Sequence, residues 1–436
     1  MSGLDHDAKV TRLQDELRRA ERGRPLRLHK RAVSHKVPVW RKPASRQELR
    51  LDNLDQILSI DPVSRTCVAE PGVSFDKLVE ETGRHGLAPI IVPELKTITI
   101  GGAVAGCSIE STSYKNGGFH DTCLEYEVLS TTGDRLICTP NNEHQLVFQM
   151  MHGTFGTLGV LTRLKFKLMP VKRYVHVAYE HHSTLEAYLA AIQRHFEARD
   201  VEFMDGMIHS RTRYTLSLGE CVNEAPYTHS YDWYRVYPDS VDARDEDYLR
   251  TADYFFRYDH GVTRVHPSSF AMRLLFGKLF GSTQLLRLAH KFPSLAGAEH
   301  DSVTQDLFLP FSRTAEFIRW FQGEYDFYPI WVVPYARVRD YEWASGEFYR
   351  GMKDPLFIDL GIYGLPQRRG KNEYRVLEEK LKEVNGMKTL ISCNFYSEDE
   401  FWSLWNKETY SAVKRQLDPD GMLDDLYAKM CRKQSA

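Results

Sequence analysis

The chain lacks the common short signatures of catalysis. No Cys-x-x-Cys pair occurs among its seven cysteines, which removes zinc knuckles and thioredoxin-type redox centres. No H-E-x-x-H is written among its 17 histidines, and His181-His182 has no third ligand at useful spacing, so no metal site is expected. Without G-x-S-x-G there is no nucleophile elbow for serine hydrolysis. Without G-x-x-x-x-G-K-[S/T] or G-x-G-x-x-G there is neither a P-loop nor a Rossmann phosphate site. An excess of charge of one sign is missing too. The 57 Lys+Arg against 59 Asp+Glu leave a net charge of -2, so no field gathers nucleic acid. Met1 to Arg31 is charged and helix-prone, with no apolar run of signal or membrane length. Lys433-Gln434-Ser435-Ala436 is no retention or lipidation signal. These absences, with unpaired cysteines, lead to the expectation of a soluble cytoplasmic protein.

What is present fits two domains. At 436 residues, 42% hydrophobic and 27% charged, the chain is globular and too long for one simple core. Residues 5–22 read as an exposed helix of mixed charge. Arg65–Glu70 reads as a strand stopped by Pro71-Gly72, and Ser74 caps a helix through about Thr82. Leu124–Thr131 and Arg135–Thr139 form a hairpin around Gly133-Asp134. Val160–Met169 alternates, with Leu164, Phe166 and Leu168 on one face, and Pro170 closes the segment. Two similar runs of strand, helix, strand and strand follow. The first has Tyr174–Tyr179, a helix opened by the capping box Ser183-x-x-Glu186, then Glu202–His209 and Arg213–Leu218. The second has Gln305–Leu309, Ser312–Phe321, Tyr328–Arg337 and Leu356–Tyr363, extended by a helix near Glu373–Val384 and a strand at Thr389–Tyr396. Such repeats predict a ferredoxin-like antiparallel sheet with helices on one face, in an α+β protein. The boundaries fall at 1–22 for the helix, 23–170 for a first domain and 171–400 for a second, with a helical insertion at about 240–300. A helical segment, 401–436, ends the chain.

Two glycine runs stand out, Gly101-Gly102-x-x-x-Gly106 and Gly153-x-x-Gly156-x-x-Gly159, both placed beside strands. Glycine lets backbone amides approach a ligand's phosphates, and two such loops suit a long dinucleotide better than one phosphate. Either run alone reads equally as a tight turn; the pair, with Glu110-Ser111-Thr112-Ser113 between, favours a cofactor.

The stretch Val92-Pro93-Glu94-Leu95, Thr99-Ile100-Gly101-Gly102, Gly106 and Ile109-Glu110-Ser111-Thr112-Ser113-Tyr114-Lys115-Asn116-Gly117 resembles the FAD domain of the vanillyl-alcohol oxidase/p-cresol methylhydroxylase family. More narrowly it resembles the delta-24-sterol reductases. The likeness continues through Glu127-Val128-Leu129, Cys138-Thr139-Pro140, Gly156-Thr157-Leu158-Gly159, Tyr328-Pro329-Ile330-Trp331, Ile358-Asp359-Leu360-Gly361 and Glu400-Phe401-Trp402. Two features depart from that family: no N-terminal membrane helix is written, and Leu28–His35 is a short first phosphate segment like that of bacterial homologues. Some of those resemble reductases of methylene-branched fatty acyl chains.

The resemblance implies a p-cresol methylhydroxylase-type FAD-binding domain of two α/β subdomains, followed by a substrate cap domain. It implies non-covalent FAD with its pyrophosphate against the backbone of Ala32, Val33 and Ser34. Pro93, Thr99, Gly101, Gly102, Gly106, Glu110, Ser111 and Ser113 would line the pyrophosphate and the flavin ring, and Gly156, Gly159 and Val160 the adenine side. His35 and His120, the local histidines, are read as surface or hydrogen-bonding residues rather than tethers. The implied reaction is reduction of a carbon–carbon double bond in a lipid, with NADPH as electron donor. Proton donation falls to Glu110 first, with Tyr363 and Tyr396 as alternatives; each also has a purely structural reading. Two other functions stay open, an oxidase of an alcohol or lactone in the same fold and a catalytically silent flavin- or lipid-binding protein. Residues 261–298 hold Arg264, Arg273, Lys278, Arg287 and Lys291 without Asp or Glu, a pattern shared by core-facing helices and by segments lying on a membrane surface.

Overall fold

The computed structural model describes residues 5–30, 47–231, 236–259, 302–350 and 352–431. Among these, the N-terminal half contributes β1 (Leu26–His29), β2 (Gln47–Arg50), β3 (Ile57–Asp61), β4 (Thr66–Ala69), β5 (Leu87–Pro89), β6 (Cys123–Leu129), β7 (Arg135–Cys138) and β8 (Val160–Pro170). β1 and β2 pair in parallel as a small sheet. The alternating β8 is the spine of a second sheet in the order β3-β4-β8-β6-β7, with β5 paired to the far end of β8. Leu164, Phe166 and Leu168 are buried, as their alternation requires, and pack with Phe75, Leu78, Val147 and Phe148 from the covering helices.

The second half contributes β9 (Tyr174–His182), β10 (Phe203–Ser210), β11 (Arg213–Val222), β12 (Glu246–Arg250), β13 (Ser302–Pro310), β14 (Ile330–Ala336), β15 (Leu356–Pro366) and β16 (Met387–Lys388). They form one sheet in the order β12-β9-β11-β10-β14-β15-β13-β16. Its two halves mirror each other about the β10–β14 contact, the geometric form of the repeat read in the sequence. The helices Leu185–Ala198, Phe311–Glu324 and Glu373–Glu383 cover one face, burying Met204, Ile208, Leu307, Leu309, Val332, Ile358 and Leu360. The other face carries Phe203, Met207, Trp331 and Val333 into the same core as Phe75 and Phe119 of the first half. The architecture is α+β, with two sheets facing across a shared core.

Several local expectations change. Thr184 rather than Ser183 caps the helix at Leu185, its Oγ1 accepting from Ala187 N at 3.3 Å. Ser74 precedes its helix without capping it, because its hydroxyl bonds Asp76 instead. The strand expected over Thr389–Tyr396 is absent; only Met387 and Lys388 pair, with Phe308 and Leu307. β12 replaces part of the helical insertion at 240–259, and the rest of that insertion lies outside the described residues.

The N-terminal helix, His6–Arg19, is amphipathic rather than exposed. Val10, Leu13 and Leu17 are buried against Leu26, Leu49 and Val160, and His6 and Lys9 go under with them. The His6 ring lies 2.9 Å from Glu70 Oε1 and 3.0 Å from Glu127 Oε1 through its two nitrogens. Burial opposes its charged form, yet the bonds and charges of Glu127 and Glu70 outweigh burial and push its pKa up to about 9. Burial also works against the Glu127 carboxylate, and His6, Thr162 and Arg135 outweigh it, taking that pKa down to about 2. A raised histidine stabilises the fold fully below its ordinary pKa of 6.5, and that contribution is lost as pH rises through about 9. A depressed carboxyl contributes above its ordinary 4.5 and loses that as pH falls toward about 2. Urea midpoints measured between about pH 6 and about pH 10 are therefore expected to fall, and His6→Gln to flatten the fall. An unchanged slope in the variant removes His6 as its source.

Candidate active site

The first glycine run is a helix, not a loop beside a strand. Thr99 is extended and its Oγ1 accepts from Gly102 N at 3.2 Å, which starts Ile100–Gly106 despite glycine's poor helix propensity. Gly101 N bonds Pro71 O at 2.9 Å, and a Cβ there would stand 2.6 Å from Pro71 Cβ, so the approach admits only glycine. On the other side, Lys30 Nζ lies 3.9 Å from where a Gly102 Cβ would be. The helix ends at Cys107 in the left-handed conformation.

The second run lies directly against the first. Gly153 N bonds Val104 O at 3.2 Å and Phe155 N bonds Ala105 O at 3.3 Å. The C-terminal segment returns to hold it, with Lys414 Nζ on Thr157 O and Lys429 Nζ on Phe155 O, both at 2.6 Å. Gly156 has φ +69°, with Leu28 beside it. Gly159 and Val160 turn away from the first run, Gly159 against Leu129 O and Val160 into the core beneath the N-terminal helix.

Between the two sheets lies a cavity of about 760 Å³, its mouth included. Gly106, Cys107, Ile109, His120, Gly153 and Phe155 wall it on the first-domain side, and the second half adds chiefly aromatic side chains, among them Phe308, Tyr335, Tyr341, Trp343 and Phe357. His120 is buried in the first wall rather than at the surface; neither ring nitrogen makes an aligned hydrogen bond, and Nε2 stands 3.2 Å from Asp121 Oδ2. Burial lowers its pKa against the pull of Asp121, which leaves a neutral ring. Asp121 joins the walls. It accepts from Arg339 Nε at 2.9 Å and Tyr341 Oη at 2.9 Å, both on the second half, and from Gly118 N on its own side.

Glu110 is buried at the base of the interface. Its Oε2 accepts from Ser111 N, its backbone N donates to Ser113 Oγ at 2.9 Å, and Oε1 stands 3.2 Å from Arg257 Nη2 without hydrogen-bond alignment. Burial pushes its pKa up, Arg257 opposes, and Asp205 adds to the rise. Asp205, projecting from β10, takes Arg257 Nη2 at 2.9 Å, Trp331 Nε1 at 3.1 Å and the Tyr258 hydroxyl. Ser111 belongs to the same seam, its O accepting from Met204 N at 2.8 Å and its Oγ from Tyr254 Oη at 3.3 Å. Tyr363 is half-buried on β15 and its hydroxyl donates to Asp306. Tyr396 sits behind Trp405, buried and on irregular backbone. Pro93 is buried in the turn before the glycine helix. Ala32, Val33, Ser34, His35 and residues 261–298 lie outside the described residues.

Sequence reasoning missed Arg257, Asp205 and Asp121. Arg257 left one trace, a lone cation inside the aromatic run Tyr254-Phe255-Phe256-Arg257-Tyr258. Asp205 and Asp121 left none, since their partners are remote in sequence.

The site suits a flat, conjugated cofactor on three counts. Gly106 and Gly153 open gaps in a wall otherwise made of Cys107, Ile109, His120 and Phe155, the facing wall is chiefly aromatic, and His120 Nδ1 is a buried nitrogen without a partner. Lys30 Nζ, beside Gly102, offers an amine to a phosphate, whereas the first amides of the glycine helix are already bonded to Val73 O, Pro71 O and Thr99.

A family model described as an FAD binding domain matches residues 43–139. Over 403 residues the chain is 26% identical to the Delta(24)-sterol reductase of Homo sapiens, covering 87% of this chain and 77% of that one. It is 25% identical to the Delta(24)-sterol reductase of Pisum sativum, over 90% of this chain and 77% of the relative. It is 24% identical to a Delta(24)-sterol reductase homolog of Caenorhabditis elegans, over 98% of this chain and 88% of the relative. Among the described residues no helix is long and apolar enough to cross a membrane.

Proposed function

We propose that this chain, an FAD-dependent oxidoreductase with a p-cresol methylhydroxylase-type FAD-binding domain, reduces a carbon–carbon double bond in a lipid, with NADPH re-reducing the flavin. The observation that carries the reading is the aromatic cavity set against Gly106, Gly153 and their neighbours in the FAD-binding half. Its second wall is hydrocarbon and aromatic face, which binds an apolar chain or fused ring and excludes water from the reacting carbons. The sterol reductase names of the relatives support a sterol side-chain alkene, and a methylene-branched acyl chain shares its chemistry. Protonating the less substituted carbon of either gives a tertiary cation that takes hydride.

Ala32, Val33, Ser34, Gly101, Gly102 and Lys30 would hold the pyrophosphate, and Pro93, Gly106, Glu110, Ser111, Ser113 and His120 the ring. When bound, FAD supplies the hydride from N5. The protein's remaining task is a proton. Tyr363, hydrogen-bonded to Asp306, which in turn meets the cavity-wall residue Thr389, is assigned as donor. Glu110 is assigned to positioning, because its carboxyl is taken up by Ser111 N and Arg257 and does not line the cavity. Tyr396, in contact with the cavity-lining Trp405, is assigned no step.

The test is an absorbance spectrum of purified protein, followed by anaerobic NADPH reduction and challenge with sterol and methylene-acyl substrates. A yellow protein that bleaches with NADPH and recovers colour on meeting a lipid alkene is expected. Peroxide formation with no saturated product would instead identify an oxidase. Failure to take up FAD at all sinks the reading.

A further inference from the structure

Among the described residues that wall the cavity, Arg337 and Lys388 are the two that carry a full positive charge, and both are already spent. Lys388 is buried. Its Nζ lies 2.6 Å from Glu378 Oε1 and donates to Cys393 O at 2.8 Å and to Gln305 Oε1 at 3.4 Å, which occupies all three of its protons. Arg337, the first residue beyond β14, donates from Nε to Asp340 Oδ1 at 3.0 Å and from Nη2 to the same oxygen. Its Nη1 meets Met352 O at 3.3 Å, and the guanidinium lies over the Tyr349 ring, 4.8 Å from the centre. The Arg337 side chain is 18% exposed and that of Asp340 71%, so the pair stands where the cavity meets water.

A third cation lies just behind the wall. Arg339 Nε meets Asp121 Oδ1 at 2.9 Å, and Asp121 Oδ2 accepts from the Tyr341 hydroxyl at 2.9 Å. Each of these cations therefore has a carboxylate of its own: Arg337 has Asp340, Lys388 has Glu378 and Arg339 has Asp121. What remains for a ligand is chiefly aromatic, Phe308, Tyr335, Tyr341, Trp343 and Phe357, and ring faces carry partial negative charge. A carboxylate or phosphate drawn inside would shed its water and meet no free counter-ion. One left at the mouth would meet Asp340 together with Arg337. An uncharged ester or hydroxyl pays neither penalty.

We propose that the cavity selects uncharged lipids over anionic ones, and that Asp340 sets this selectivity by occupying Arg337. The proposal rests on the lipid reading of the cavity above and narrows it. A methylene-branched acyl chain enters as an ester and not as the free carboxylate.

Equilibrium dialysis of the oxidised, FAD-loaded protein tests it, with a methylene-branched fatty acid and its methyl ester as probes. Both are kept below micelle-forming concentrations, at about pH 8, where the acid is ionised. One chain is thus compared with and without a charge. Wild type is expected to bind the ester about 10-fold tighter or more. Asp340→Asn leaves Arg337 with unspent N–H groups, and is expected to tighten the acid about 3-fold or more, with the ester unchanged. Added salt should erase that gain. Arg337→Met is expected to bind the acid as weakly as wild type does. Equal or tighter binding of the acid by wild type overturns the selectivity. Acid binding that is lost in Arg337→Met also overturns it, because the guanidinium would already be serving an anion. Asp340→Asn binding both probes as wild type does overturns the role of Asp340. If wild type binds the ester but reduces no alkene, the reaction assignment falls and the selectivity stands. Binding of neither probe overturns the proposal, while turnover of a sterol still decides the reaction.

Discussion

Replacing Arg257 by Ala is expected to lower the free energy of unfolding by about 3–5 kcal/mol, among the largest effects any single substitution here produces. The guanidinium is fully enclosed and bound at every edge but one. Nη2 meets Asp205 at 2.9 Å, Nη1 meets Tyr254 O at 2.9 Å, and Tyr254 and Tyr258 lie 4.1 and 4.6 Å from its centre. The net value of such a pair is small, because burying both charges costs nearly what their attraction returns. Removing one partner is different. Asp205 and Glu110 would then face each other with no cation between them, in a seam that water does not reach. Arg257→Lys keeps the charge but not the planar fork, and is expected to fall between Ala and wild type. Pairing Arg257→Met with Asp205→Asn removes one of the two stranded carboxyls and should recover part of the loss. Urea unfolding of the four proteins checks this. A loss below about 1 kcal/mol for Arg257→Ala would show that the seam admits water and that the clasp is ornamental.

That clasp also shows what a sequence can and cannot reveal. Alternation along Val160–Pro170 and the apolar stripe from Leu185 to Ile192 were legible because strand and helix impose their own period on neighbouring residues. The glycine runs were legible as close approaches, but not their form. Gly101–Gly106 is helical because Thr99 caps it and Pro71 packs on it, and tertiary contact overrode propensity. The strand expected over Thr389–Tyr396 failed for the converse reason. Its apolar residues are buried by packing against other elements, with β13 offering a partner only to Met387 and Lys388. The exposed reading of the N-terminal helix failed because His6 and Lys9 look solvated until Glu70 and Glu127 are seen beneath them. The site divides in the same way. Glu110 was singled out through resemblance and Tyr363 as a strand residue of the second half, whereas Asp121 and Asp205 meet their partners only once the chain has folded.

Tyr363→Phe is expected to cut turnover by about 10²–10⁴-fold while leaving FAD in place, the range a positioned general acid supplies. The substitution removes one oxygen and keeps the ring that fills the space beside Gly361, so packing is retained. Burial and the neighbouring Asp306, Glu94 and Asp359 hold the hydroxyl's pKa well above its ordinary value. A lone phenol so placed would be a poor acid. It donates only if another proton reaches the phenolate oxygen as it forms and if its O–H leaves Asp306, which accepts it in this structure. The contrast with Glu110→Gln separates the two assignments. Glu110 serves Arg257 and the Ser111–Ser113 turn, so its amide variant is expected to weaken stability and flavin retention more than the alkene step. Stopped-flow reoxidation of reduced enzyme by the alkene, read beside flavin content, gives both quantities from one preparation. Tyr363→Phe reoxidising at the wild-type rate while Glu110→Gln stalls with flavin bound would reverse the assignment. The proton would then come from the Arg257 side of the seam.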